Sequence, residues 1–275
     1  MAGGEHPASM FAERRGILAA MPGNVFILSS GRTGTKFLAE FFGANFANVV
    51  ARHEPAPSYQ LRMLSNARAA GAASRSVLAA ALRLSRPGLW RGGDGLVIES
   101  NPFLYGFVDV LGELADSPTI IHIVRDPRTY VPSAINHGGS SGLKAAASAL
   151  IPFWFPPVRL APGVGAHPGP VELFAGEWAL VNRFLVEHGG GLPGYHRLRF
   201  EALFDAENSG LRRMVELLGL SYPGDAAPVS AAEKVNAGRL NAIGGWASWE
   251  AGQRAAVERI CGGLMREWGY GGETG

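Results

Sequence analysis

Three short stretches of this 275-residue chain hold residue types and spacings suited to chemistry. The first is Ser29-Ser30-Gly31-Arg32-Thr33-Gly34-Thr35-Lys36, a loop of glycines, hydroxyls and cations. It follows Val25 to Leu28, a continuous apolar run that predicts a strand buried on both faces. It precedes Phe37, Leu38, Phe41 and Phe42, the spacing of one helical stripe. Strand, glycine turn and helix together make a phosphate cradle, because the N–H groups of the turn and of the first helical turn lack partners in the chain. The second stretch, "TIIHIVRDPRTYVPS", predicts a β-branched strand ending in Arg125. Asp126 as N-cap and Pro127 at the first helical position then start a helix that carries Ser133, eight positions after Arg125. The third is the adjacent pair His53 and Glu54, two side chains able to take a proton at the end of another strand.

The letters of the loop discriminate between phosphate chemistries. A nucleoside-triphosphate loop places Ser or Thr directly after its lysine, to hold Mg²⁺. Here Lys36 is followed by Phe37, and the register is off by one. A transferred group carrying less charge than a γ-phosphoryl can dispense with the metal and rely on cationic side chains and backbone dipoles, and sulfuryl transfer fits that description.

The run "SSGRTGTKFL" resembles the 5′-phosphosulfate loop of sulfotransferases that use 3′-phosphoadenosine 5′-phosphosulfate, and the Arg125–Ser133 stretch is similar to their second motif. "RHEP", "VIESNPFL", "RLRFEALFDA" and "ICGGLMREWGY" follow the family's order, leaving 137–170 unmatched. The resemblance implies an α/β fold of three layers, like the P-loop nucleotide hydrolases, with a parallel sheet between helices. It implies one sulfotransferase domain over 1–275, and the length and proline-bound aromatic residues of the unmatched 137–170 segment suggest a substrate lid or insertion there. It implies that the nucleotide is a co-substrate held by Arg32, Thr33, Gly34, Thr35, Lys36, Arg125 and Ser133, with no metal required. Arg32 stands where the family usually has lysine, and its guanidinium suits charge stabilisation rather than proton donation. Arg125 and Ser133 resemble the pair that binds the 3′-phosphate.

The partner is a hydroxyl-bearing acceptor, a carbohydrate, a glycolipid or a small molecule, and that hydroxyl must lose a proton as it attacks. Glu54 is the preferred base, since it takes a place where some branches carry glutamate, with His53 as its competitor. Glu99, Ser100, Asn101, His137 and Trp154 are candidates for the acceptor side, Trp154 because Phe153, Trp154 and Phe155 lie among prolines in an unusually long connection. Two other readings stand beside this one: a small-molecule kinase, and a nucleotide-binding module without catalysis.

The elements that must position these residues alternate along the chain: a strand near Val49, a helical region from Tyr59 to about Ser85 with a soft break at Gly71, the strand "GLVIES", a helix from Phe103, and later helix, strand and helix units. Such alternation predicts a parallel sheet with ligands at the carboxyl ends of its strands. With 47% hydrophobic and 17% charged residues the chain is an ordered globular protein. A net charge of +2 does not suggest nucleic acid or a membrane surface as partner, although a few arginines can still line a basic pocket. The single Cys261 excludes an internal disulfide and a cysteine metal site. Residues 16–28 follow Arg14 and Arg15 in faint likeness to a signal peptide, but Pro22, Gly23 and Asn24 interrupt them, and a cytoplasmic location is expected. The oligomeric state is left open.

Overall fold

The computed structural model describes residues 23–87, 95–115, 117–137, 151–224, 230 and 243–272. Five strands, β1 (Gly23–Ser29), β2 (Val49–His53), β3 (Leu96–Ser100), β4 (Thr119–Val124) and β5 (Tyr195–Arg199), form one parallel sheet in the order β2-β3-β1-β4-β5. The chain builds the β2–β3 side first and then crosses to β4 and β5, so the topological switch lies at the carboxyl end of central β1. The glycine loop leaves the sheet at that point.

Alternation along β1 explains why its run is apolar throughout. Val25 and Ile27 face a core layer with Phe37, Phe41 and Phe42 of α1 (Thr35–Asn45) and with Leu211 and Met214. Phe26 and Leu28 face the opposite layer, with Leu104, Phe107 and Leu111. Each fully buried side chain of this size contributes about 1.5–3 kcal/mol. The predicted helical region 59–85 breaks completely. Helix α2 (Ser58–Ala69) ends before Gly71, which takes φ 74°, and α3 (Arg75–Ser85) restarts under the Ser74 cap. The predicted helix from Phe103 begins as a 3₁₀ turn, Pro102–Phe107, before α4 (Val108–Leu114). That turn presses on α2 so closely that a Cβ at Gly106 would lie 2.6 Å from Ser65 Cα.

On the other side, α5 (Pro127–Asn136) starts directly after β4, as the Asp126-Pro127 pair predicts. The long α6 (Pro170–Gly189) packs Trp178, fully buried, against α5 and α9 (Ala251–Glu267). Between them lie α7 (Phe200–Leu203) and α8 (Ser209–Leu217). Of the expected lid at 137–170, residues 138–150 lie outside the described residues, and 151–169 contains only the 3₁₀ turn Val158–Leu160. Residues 16–22 of the signal-like stretch also lie outside them. Among the described residues no helix is long and apolar enough to cross a membrane.

One buried ion pair governs the β2–β3 side. Arg86 gives Nε and Nη2 to the two Glu99 oxygens at 2.8 and 2.9 Å, and donates further to the Pro55 and Ala56 carbonyls. Both side chains are less than a tenth exposed, so removing one partner leaves a dehydrated charge. Arg86→Met should therefore lower the unfolding free energy by about 3–5 kcal/mol, whereas the double change with Glu99→Met should recover most of it, both read by urea denaturation. A double variant as unstable as the single one would mean that the pair's bonds to the loop carbonyls, not charge compensation, carry the effect.

Candidate active site

The loop after β1 is built from left-handed residues: Gly31 at φ 86°, Arg32 at 54° and Gly34 at 73°. Such conformations are uncommon outside glycine, and Arg32 is held there by its surroundings. Ser29 Oγ accepts from Gly31 N–H at 3.0 Å and from the Thr33 hydroxyl at 2.7 Å, and the Tyr130 hydroxyl donates to Ser30 O at 3.1 Å. Gly34 is the N-cap of α1, and no side chain caps that helix. A Cβ at this position would also lie 3.2 Å from the Phe204 ring. The result is a backbone concavity at the positive end of an eleven-residue helix.

Two guanidiniums converge beside it. Arg125 gives Nη1 to Arg32 O at 2.7 Å and approaches Ser133 Oγ at 3.4 Å, while Arg32 Nε reaches the same Ser133 Oγ at 3.3 Å. Arg125 is aimed by its neighbours: Nε donates to Thr129 Oγ1 at 3.1 Å, its carbon lies 4.4 Å from the Phe200 ring centre, and Trp178 Nε1 holds its carbonyl at 2.8 Å. Burial lowers the pKa of both arginines, and for Arg125 the nearby Arg32 lowers it further. Two like charges gathered in a half-buried concavity favour an anion between them.

Across the carboxyl edge, Glu54 follows β2 at φ 44°, with its N–H bonded to Ser100 O at 3.2 Å. His53 Nδ1 lies 3.1 Å from the same carbonyl and must carry its proton there, which turns Nε2 toward Glu54 Oε1 at 3.6 Å. Burial raises the Glu54 carboxyl above its ordinary range, opposed by His53 and then by Arg62. Arg86, unnoticed in the sequence because no motif contains it, holds the chain immediately after Glu54 through the Pro55 and Ala56 carbonyls.

The remaining sequence candidates divide. Thr33 and Thr35 are buried in the loop, and Thr35 O accepts from Ser100 Oγ at 2.8 Å. Lys36 is turned away, in an exposed pair with Glu40 at 3.6 Å, so its cation is not gathered with the arginines. Glu99 and Asn101 do not present themselves to an acceptor. Glu99 is spent on Arg86, and Asn101 donates to Glu99 and Ser58 while its carbonyl caps the following 3₁₀ turn. Ser100 is likewise buried and committed to Thr35. His137 is the C-cap of α5, with its N–H bonded to the Ser133 carbonyl at 3.1 Å. Trp154 stacks on Tyr59 at 6.0 Å, nearly parallel at 2°. Residues that spacing alone did not reveal include Tyr130, Thr129, Phe200 and Glu177, whose carboxyl burial raises while Arg62 pulls it down.

No protein-family model matches the chain, and no curated protein does. Among solved structures it is similar to the sulfotransferase domain of the Synechococcus PCC 7002 olefin synthase, at 16% identity and TM-score 0.43 over 87% of each chain. It is similar to a sulfotransferase from Alicyclobacillus acidocaldarius, at 17% identity and TM-score 0.45 over 78% of this chain and 86% of that one. A mouse sulfotransferase, SULT7A1, complexed with PAP, gives 14% identity and TM-score 0.46 over 90% and 86%.

The raised Glu54 carboxyl has a thermodynamic sign. The folded protein holds this proton more tightly than the unfolded chain, so its contribution to stability is lost as pH rises from 4.5, the ordinary carboxyl value, through the raised folded value. Relative to Glu54→Gln, the wild type should lose unfolding free energy across that window. Urea titrations of both proteins over a pH series test this, and a difference independent of pH would show that Glu54 is not dehydrated in solution.

Proposed function

We propose that the protein transfers a sulfuryl group from 3′-phosphoadenosine 5′-phosphosulfate to a hydroxyl of a carbohydrate, glycolipid or small-molecule acceptor, with the chain acting as one catalytic domain. The observation that carries this reading is the convergence of Arg32 and Arg125 on Ser133, beside an uncapped helix N-terminus at the switch point of the sheet. A donor with phosphate groups at two ends suits this arrangement. The backbone of Thr33, Gly34 and Thr35 meets the 5′ end, Arg125 and Ser133 meet the 3′-phosphate, and Arg32 spans the two.

The donor supplies a sulfuryl group whose bond to the leaving phosphate oxygen breaks as the acceptor oxygen bonds to sulfur. Arg32 stabilises charge on the leaving phosphate, and a guanidinium does so without giving up a proton. Glu54 takes the acceptor's proton. A carboxyl held above its ordinary range by burial is a stronger base toward a hydroxyl than an exposed one. His53 holds Glu54 in place and is the alternative base. The kinase reading is weaker because Phe37, which is buried, stands where the metal-binding hydroxyl belongs.

Calorimetric titration should show adenosine 3′,5′-bisphosphate binding far more tightly than its analogue without the 3′-phosphate. Arg125→Ala should weaken it by about 10- to 100-fold, the worth of a charged hydrogen bond. Equal affinity for the two nucleotides would sink the 3′-phosphate assignment. Glu54→Gln should lower turnover by about 10²- to 10⁴-fold with nucleotide affinity intact. Full activity in Glu54→Gln together with an inactive His53→Ala would move the base to His53, and a binding module would be indifferent to both.

A further inference from the structure

The exposed apolar side chains of this protein are not scattered. Of the ten large hydrophobic residues exposed among the described residues, five are Tyr59 and members of the segment 151–160 that stacks on it through Trp154: Tyr59 at 56%, Ile151 at 41%, Phe153 at 39%, Phe155 at 40% and Leu160 at 58%. Scattered single residues of this kind need no explanation, whereas a contiguous group does.

The strip is held outward. Asn66, itself fully buried, donates its amide to the carbonyls of Phe153 at 2.7 Å and Trp154 at 3.4 Å, and receives the Tyr105 hydroxyl on its oxygen at 2.9 Å. Trp154 stacks on Tyr59, and Tyr59 packs on Phe103 at 5.6 Å. Phe153 takes φ 58°, a costly conformation for an aromatic residue, yet the residue is not buried in return. Pro152, Pro156 and Pro157 stiffen the same segment. These anchors hold the backbone of the segment at residues 153 and 154 and leave the Phe153 and Phe155 rings at the surface.

Position and charge indicate what the strip meets. Tyr59, Arg62 and Asn66 share one face of α2, and Arg62 is near enough to Glu54 to lower its pKa. The strip therefore borders the cleft that holds the proposed base. Arg159, exposed beside Leu160, makes no hydrogen bond or ion pair among the described residues, whereas Arg62 lies 5.1 Å over the Phe103 ring and is felt by the Glu54 and Glu177 carboxyls. Exposed aromatic and aliphatic tips with the unpaired Arg159 among them match an anionic lipid interface, where rings enter the headgroup level and each basic residue adds about 1 kcal/mol.

We propose that the face formed by Tyr59 and residues 151–160 docks on an anionic phospholipid surface, so that the enzyme meets an amphiphilic, membrane-borne acceptor at the mouth of its cleft. The docking itself does not depend on the sulfuryl-transfer reading; the identity of the acceptor does.

Sedimentation of the full chain with vesicles of mixed phosphatidylcholine and phosphatidylglycerol tests the proposal, with phosphatidylcholine alone as the comparison. Wild-type protein should bind the mixed vesicles and release them as salt is raised. Phe153→Ser with Phe155→Ser should weaken binding by more than about tenfold, the cost of two lost rings, and Arg159→Gln should weaken it less. Leu84→Ser, at an 84% exposed position on α3, should change nothing. Adenosine 3′,5′-bisphosphate affinity and the urea midpoint confirm that each variant is folded, and Ile151→Ser with Leu160→Ser serves if the first pair is not. Absence of vesicle binding by the wild type overturns the proposal, as does equal binding by both strip variants. So does a wild-type dimer that the strip variants convert to a monomer, since a second copy then covers the face. Vesicle binding by a protein that binds no nucleotide would leave the surface assigned and sink the transfer reading instead.

Discussion

The contact of the Arg125 guanidinium with the Arg32 carbonyl joins the two halves of the site. It links the end of β4 to the loop after β1, and it brings two cations together where water is already scarce. Such a contact persists only if other groups oppose the repulsion. Phe200 provides a ring face for Arg125, worth about 0.5–2 kcal/mol depending on desolvation, and Glu201 lies close enough to favour the charged form. Glu201 also accepts from Asp126 N–H at 2.8 Å and from the Tyr270 hydroxyl at 2.9 Å, so the start of α5, the β5 exit and the C-terminal segment are fastened at one carboxylate. Arg128 completes the clamp, pairing with Asp126 and donating to the Tyr270 and Gly272 carbonyls at 3.0 and 2.6 Å. Arg125 is thus preorganised by groups on the strands, helices and C-terminal segment around it.

The opposite half is ordered by the buried Arg86–Glu99 pair. A pair this dry is a weak source of net stability, because dehydrating two charges costs about what their attraction returns. Its consequence is geometric. The same guanidinium that neutralises Glu99 reaches the Pro55 and Ala56 carbonyls, which fixes the turn after β2 and with it the left-handed Glu54. Glu99 therefore belongs to the scaffold of Glu54.

This contrast explains which parts were legible in the sequence. The strand, loop and helix around Arg32 were, because their signals are local: a continuous apolar run, glycines in a turn and a stripe at helical spacing. Arg125 and Ser133 were legible for the same reason, being eight positions apart across an Asp-Pro helix start. Gly71 was read as a soft break, and it separates two helices because its left-handed backbone admits no continuation. Arg86 was not legible, since it acts 13 residues before its carboxylate and about 30 after the carbonyls it holds, with no periodic signal. Asn66, with partners 87 and 88 residues away, and Tyr270, 69 residues after Glu201, escaped equally. Lys36 shows what spacing leaves open: its place beside the loop is local, while the direction of its side chain, here along its own helix to Glu40, is not written in the motif.

The two poles of the site have a common electrostatic origin. Removal from water lowers the pKa values of Arg32 and Arg125 and raises those of Glu54 and Glu177, because it penalises whichever form carries charge. At Glu54 this penalty outweighs the opposing pull of His53 and Arg62, as the net upward shift requires. The same dryness strengthens every interaction with charge that develops during a reaction, by the ratio of a protein-like to a water-like dielectric. Arg62 is a shared opposing charge, felt after burial at Glu54, Glu177, Tyr105 and Tyr130 alike. An acceptor that placed an anionic group against Arg62 would remove this opposition and leave Glu54 a stronger base when the cleft is filled than when it is open.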